Sequence, residues 1–279
     1  MTQQPSSRNQ EQQGPVVLVD KHEDGKIYVI TMNRPHRMNA LGGGMGEALY
    51  NAWAEFRDDP RARVAILTGA GDRAFCAGAD LIETSERRQA EARGETLPRP
   101  TSPPRSSVPL SEGMNLWKPT IAAINGYAVA GGFMMAMQCD IRIAAEHAEI
   151  GIAEVRWNMG AGWLHTLTRQ MHLQHALELV LWGDQRITAQ RAYEMGWVNR
   201  VVPKERLMDE AMKWAERMLY LAPRAVRNLK EIITRGFYMS PMEGAAFARA
   251  VEQNLSGMKD SIEGPTAFAE KRRPNFQDS

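Results

Sequence analysis

PTIAAINGYAVAGGFMMAMQCD, residues 119–140, is the stretch from which the rest of the chain can be read. Thr120–Ile124 is a short apolar run with β-branched residues at both ends, which predicts a strand. Asn125-Gly126 is a turn pair. Small residues, Ala128–Gly132, then lead into a helix-like apolar segment, Phe133–Met137. The reading is strand, glycine turn, helix N-terminus. The first N–H groups of a helix have no carbonyl partner one turn back, and they sit at the positive end of its dipole. They therefore suit a developing negative charge. Gly131 and Gly132 carry no side chain, so a ligand can approach that backbone closely.

On the N-terminal side, Val16–His22 and Lys26–Met32 are strand-like and flank Glu23-Asp24-Gly25, a hairpin signal. A helical pattern runs from about Met45 to Arg57 and stops at Asp58-Asp59-Pro60. The preceding Gly42-Gly43-Gly44 completes no dinucleotide fingerprint, and no Gly-Lys-Ser/Thr follows it, so it reads as a flexible lead-in to the helix. Val64–Thr68 is a buried strand. Ala74–Leu81, AFCAGADL, is a small-residue loop entering a helix that Asp80 can start. Glu83–Arg93 is charged and helix-prone, and Gly94–Pro109 is a mobile Pro/Ser/Thr-rich loop.

On the C-terminal side, Ile141–Ala144 and Ala148–Ile152 read as strands. Leu164–Met171, Leu177–Trp182 and Thr188–Met195 read as helices, and Val198–Val202 as a last strand. From residue 204 onward only helical patterns follow. Strands alternating with helices, then helices alone, predict an α/β body with a helical appendage. The expected organisation is a disordered polar tail over 1–14, a body over 15–203 and a helical region over 204–279.

Composition removes several function classes. A net charge of +1 gives no broad electrostatic footprint for nucleic acid or an anionic membrane. Pro119, Asn125 and Gln138 interrupt the most apolar window, so no membrane span is expected. The two cysteines, Cys76 and Cys139, form no CxxC pair, which fits a reducing, cytoplasmic setting. His172 and His175 have no acidic or cysteine neighbour in sequence to complete a metal site, and there is no G-x-S-x-G elbow.

Six segments together resemble the crotonase superfamily, the enoyl-CoA hydratase/isomerase family. They are Thr31–Leu41 (TMNRPHRMNAL), Val64–Leu81 (VAILTGAGDRAFCAGADL), Lys118–Asp140, Ala148–Arg156, Leu181–Val202 and Ala267–Phe276 (AFAEKRRPNF), in the family's order. The resemblance implies an α/β fold of stacked ββα turns forming a spiral core. It implies a C-terminal helical region used in trimer assembly, giving a homotrimer or a hexamer built as a dimer of trimers. It implies a coenzyme A thioester as ligand, with CoA part of the substrate and no separate cofactor required.

The family stabilises a thioester enolate with two backbone N–H donors. By the resemblance these match Ala79 and Gly131. The plain alternative is tight turns with small residues for packing. Hydratases of the family use two glutamates; the first matches Met134, so one carboxylate is missing here. The second matches Glu154, whose acid/base role competes with that of a surface glutamate paired with Arg156. The family's run through Gly and Pro after this glutamate is shortened here, with Gly160-Ala161-Gly162 arriving early and without proline.

The acyl pocket is expected from Phe133, Met134, Trp157 and Trp163, with Ala77, Asp80, Leu81 and Arg37 also on the substrate side. The competing reading of the apolar ones is ordinary core, and that of Asp80 a helix cap. Glu83 reads as solvated and His165 as a core residue. Arg34, Arg37, Lys118, Lys271 and Arg272 are candidates for the CoA phosphates, against solvated surface charges.

Moving a double bond from the 3 to the 2 position needs one base, whereas hydration commonly shares its work between two carboxylates. Isomerisation of an enoyl-CoA is therefore the favoured reaction. The alternatives are an enoyl-CoA hydratase or hydratase-lyase, including on aromatic acyl groups, and a non-catalytic acyl-CoA binder. An RNA-binding relative is disfavoured by the near-neutral charge.

Overall fold

The computed structural model describes residues 14–97 and 110–279. The polar tail and most of the Pro/Ser/Thr-rich loop lie outside the described residues.

The first hairpin is β1 (Val17–His22) and β2 (Ile27–Met32), antiparallel with Val17 opposite Met32. Helix α1 (Met45–Asp58) follows, then β3 (Val64–Gly69), β4 (Ala74–Cys76) and α2 (Leu81–Ala92). A single turn, α3 (Leu110–Gly113), leads to β5 (Thr120–Ile124), β6 (Tyr127–Val129) and α4 (Gly131–Gln138). Next come β7 (Ile141–Ala145), β8 (Glu149–Gly151), α5 (Leu173–Leu181), β9 (Ile187–Thr188), α6 (Ala189–Glu194) and β10 (Arg200–Val202). Four longer helices close the chain: α7 (Leu207–Met218), α8 (Pro223–Gly236), α9 (Pro241–Glu252) and α10 (Asp260–Ala269).

Two sheets share these strands. One has the order β1-β2-β3-β5-β7-β10 and the other β4-β6-β8-β9. The pairs β3/β4, β5/β6 and β7/β8 each send their first strand to the larger sheet and their second to the smaller. Each pair is one turn of a spiral, as the expected ββα stack requires. Within both sheets the successive turns are joined in parallel, Ile66 opposite Ile121, Ile121 opposite Ile141 and Ala128 opposite Ile150.

The larger sheet is covered on both faces. Tyr28, Ile30, Leu67, Ala122 and Ile124 turn to the main core, with Trp53, Phe56 and Phe133. The alternate residues Ile27, Val29, Ile66, Ile121 and Ala123 pack on Leu207, Ala211 and Ala215 of α7. Side chains alternate at period two, so double coverage explains why VAILTG and TIAAI are apolar throughout. The first long helix of the C-terminal helical region, α7, is thus the second cover of the sheet.

Three local expectations are corrected. Ala74–Cys76 is a strand, not loop, because it pairs in parallel with the strand Tyr127–Val129, Ala74 opposite Tyr127 and Cys76 opposite Ala128. Gly162–Arg169 is a run of 3-10 turns in place of an α-helix. His165 is exposed, its ring Nδ1 2.7 Å from the Gly162 carbonyl oxygen, and is not a core residue.

Candidate active site

The three parallel strands of the smaller sheet deliver the site. Ala79 lies three residues past the end of β4, Gly131 two past β6 and Glu154 three past β8. β6 is the middle strand, with Cys76 of β4 on one side and Gly151 of β8 on the other. The three segments therefore leave the sheet together at the carboxyl ends of their strands, where open α/β sheets bind ligands.

The loop carrying Ala79 is held from one side by residues 38–41. Ala77 N–H donates to the Met38 carbonyl at 3.0 Å, and Leu41 N–H to the Gly78 carbonyl at 2.7 Å. On the other side it abuts the start of α4. A methyl built on Gly78 would lie 3.0 Å from the Gly131 nitrogen and 2.8 Å from the Ala130 Cβ, and Gly78 has φ +86°. Only glycine allows this approach at that backbone angle. Gly131 opens α4, so its N–H has no helical carbonyl partner. Ala130, just before it, sits at φ 55°, ψ −122°, a conformation that favours glycine.

Glu154 begins a 3-10 turn over Glu154–Trp157, and its side chain is only 7% exposed. Its Oε2 is buried with no hydrogen-bond partner. Burial pushes its carboxyl above the ordinary glutamate value, partly opposed by the N–H groups of Glu154 itself and Ala153. The surface pairing with Arg156 does not form; the Arg156 guanidinium stacks on the Trp157 ring, 5.1 Å from its centre. Met134, at the position of the absent carboxylate, is buried in the main core.

The expected pocket residues separate. Phe133 is fully buried between Trp163 and Trp197, with ring centres 5.8 and 4.2 Å away. Phe133, Trp163 and Met134 are thus core. Leu81 and Trp157 instead line an open groove beside α2.

The expected phosphate cations separate too. Arg34 is buried, 3.3 Å from the Asp80 carboxylate and 3.1 Å from Glu83, and it donates to the Ala40 carbonyl. Lys118 is buried under the end of α1, donating to the Phe56 and Asp59 carbonyls at 2.9 and 2.6 Å. Burial lowers its ammonium to about 8. It stands at the amino end of β5, away from the carboxyl ends that carry the site. Arg272 forks onto Glu263 at 2.6 and 2.9 Å and also reaches Glu270. In the single chain Arg34 and Lys118 are thus engaged by buried partners, and Arg272, though exposed, by two carboxylates. Lys271 is exposed, and Arg37, partly exposed, lies 3.4 Å from Asp80.

Asp80 caps α2, accepting from the Ile82 and Glu83 N–H groups. Glu83, expected to be solvated, accepts from Arg34 and from the Gly43 N–H. Asn39 and Asn125 were not singled out by sequence. Asn39 donates to the Ala70 and Ala74 carbonyls, and Asn125 to those of Gly69 and Gly71. The available signal was a polar amide inside an otherwise apolar or turn-forming run. Among the described residues no group of three or more His, Cys, Asp or Glu is placed to hold a metal ion, and no helix is long and apolar enough to cross a membrane.

Two free backbone N–H groups, together with a buried carboxylate whose Oε2 lacks a partner among the described residues, can polarise a carbonyl and move a proton at the adjacent carbon. The sequence profile described as enoyl-CoA hydratase/isomerase matches residues 22–279. The (E)-benzylidenesuccinyl-CoA hydratase of Thauera aromatica is 36% identical over 266 residues, covering 94% of this chain and 99% of that protein. A carnitinyl-CoA dehydratase of Salmonella arizonae is 38% identical over 260 residues, covering 91% and 96%. The crystal structure of an enoyl-CoA hydratase from Bacillus anthracis superposes with a TM-score of 0.82 at 33% identity, covering 95% of this chain and all of that one.

Proposed function

Because the chain belongs to the enoyl-CoA hydratase/isomerase family, we propose that it acts on an enoyl-CoA thioester through an enolate, with Glu154 as its single acid/base and double-bond isomerisation as its reaction. The observation that carries this reading is the buried, unpaired Glu154 Oε2 facing no second carboxylate at Met134.

In this reading the thioester oxygen accepts from the Ala79 and Gly131 N–H groups. Glu154 removes a proton from C2 of a 3-enoyl-CoA, and the electron pair moves onto the oxygen. The same carboxyl returns the proton at C4, leaving the conjugated 2-enoyl thioester. Each donor lowers the barrier by about 3 kcal/mol, because charge grows on the oxygen only in the transition state. Burial suits the base: a raised pKa brings Glu154 nearer to neutral pH, where it can both take and return a proton.

A second reading is hydration or dehydration, favoured by the names of the relatives, a hydratase and a dehydratase. There Glu154 would serve both the water and C2.

The test is to mix the protein with a short 3-enoyl-CoA and follow the ultraviolet band of the conjugated thioester, with Glu154→Gln alongside. Growth of the band with wild type alone supports isomerisation. A flat trace with 3-enoyl-CoA, together with loss of the band from a 2-enoyl-CoA, selects hydration.

Trimer assembly is part of the same proposal. Leu229, Ile233 and Phe237 of the α8 segment and Ile262 and Phe268 of α10 are exposed in the single chain. Light scattering at three times the chain mass supports it, and six times supports the hexamer.

A further inference from the structure

Resting on the acyl-thioester reading above, we propose that the acyl group carries a second carboxylate, bound by Arg88. A groove of about 460 Å³ lies between α2 and the turn that starts at Glu154. Its apolar walls are Leu81, Ala92, Trp157 and Met159. It begins two residues past the donor Ala79 and ends on residues three and five past Glu154. An acyl chain whose carbonyl rests on the donors and whose C2 meets Glu154 runs into it.

The polar groups of the groove are not equivalent. Thr84 donates its hydroxyl to the Asp80 carbonyl at 2.8 Å. Gln89 donates to the Ser85 hydroxyl at 3.1 Å. Arg87, the neighbour of Arg88, pairs with Glu91 at 3.0 Å. Arg88 lines the groove and, among the described residues, has neither an ion-pair nor a hydrogen-bond partner. Among the described residues no carboxylate lines the groove with it. Across from it Trp157 is 48% exposed, backed by the Arg156 guanidinium, which also lacks an acidic partner.

Arg88 is exposed beside these apolar walls, and a guanidinium without a carboxylate partner favours a planar anion, because it offers a fork of donors to both carboxylate oxygens. A neutral chain reaching the same place gains no such contact, so the carboxylate is preferred. Length can be stated as well. Leu81 and Arg88 are about 10 Å apart along α2 at 1.5 Å per residue. The arginine side chain spans part of that distance. A dicarboxylic acyl group of about six carbons bridges the rest.

The probes are adipyl-CoA, with a terminal carboxylate, and hexanoyl-CoA, its neutral counterpart. Both are saturated, so binding is read by calorimetry without turnover. Wild type is expected to bind adipyl-CoA about ten-fold more tightly, the scale of one charge-assisted contact. Arg88→Gln is expected to remove that difference and Arg88→Lys to keep part of it. Equal binding of the two thioesters by wild type overturns this proposal and leaves the acyl-thioester reading standing. A preference that survives in Arg88→Gln overturns the assignment to Arg88. Binding of neither thioester overturns both readings.

Discussion

The Arg34 guanidinium lies 3.3 Å from the Asp80 carboxylate, and both side chains are about 5% exposed. Asp80 is the residue directly after Ala79, so this pair ties the donor loop to the segment that follows β2. Arg37 and Glu83 extend the cluster to either side. Asp80→Asn keeps a good helix cap but removes the charge that faces Arg34. Breaking the pair from one side leaves the buried Arg34 with only the half-exposed Glu83 carboxylate to balance it. The expected loss is about 3 kcal/mol of stability, read as a lower midpoint in urea unfolding. A shift of the Ala79 N–H should also lower kcat more than it raises KM.

Glu154 sets a pH dependence in two ways. Its carboxylate must be ionised to take a proton, so the acidic limb of kcat/KM is expected above the ordinary glutamate value, in the direction that burial pushes it. Stability runs the other way. Between the unfolded and the raised folded pKa the native state binds more protons, so stability falls as pH rises through that window. Glu154→Gln removes this dependence. It is expected to be more stable than wild type at pH 7, to match it below the unfolded value, and to lose activity about a hundred- to ten-thousand-fold. Denaturation at several pH values alongside the rate checks both signs.

Two neighbouring small residues should respond oppositely to a methyl. A Cβ on Gly132 would stand within 2 Å of the Cys76 carbonyl oxygen, at 1.9 Å, where neither backbone can yield. Gly132→Ala is expected to destabilise by about 3 kcal/mol or to prevent folding. Ala130 already carries a methyl at φ 55°, ψ −122°. Ala130→Gly relieves that strain, offset in part by added freedom in the unfolded chain, for a net gain of about 0.5–1 kcal/mol. Thermal unfolding of the two variants against wild type tests the pair.

Lys118 separates a structural tie from a ligand contact. Lys118→Met leaves the Phe56 and Asp59 carbonyls without their donor. The expected effect is a loss of about 2 kcal/mol of stability, with affinity for free CoA the same as wild type. Weakened CoA binding in a variant of unchanged stability would return Lys118 to the phosphate site.

Much of this arrangement is written in local sequence. The order of long strands and helices follows from apolar runs and periodicity, VAILTG and TIAAI being continuous runs, and turn pairs mark where the chain reverses. The small residues around Ala79 and Gly131 announce a place where backbones meet, and Glu154 is the glutamate that the proposed reading makes its acid/base. These features depend on residues a few positions apart, which is the range over which sequence pattern acts. The partner of each charge does not. Arg34 meets Asp80 across 46 residues and Lys118 meets Phe56 across 62, so one arginine ties a loop and one lysine caps a helix where both could equally have been surface cations. The three-residue strands Ala74–Cys76 and Tyr127–Val129 carry too little pattern to be read alone and exist because they pair with each other. Phe133 and Trp157 look alike as aromatic candidates, yet one is sealed between two tryptophans and the other opens onto a groove. Burial is a property of what comes to lie alongside, and only the folded chain brings it there.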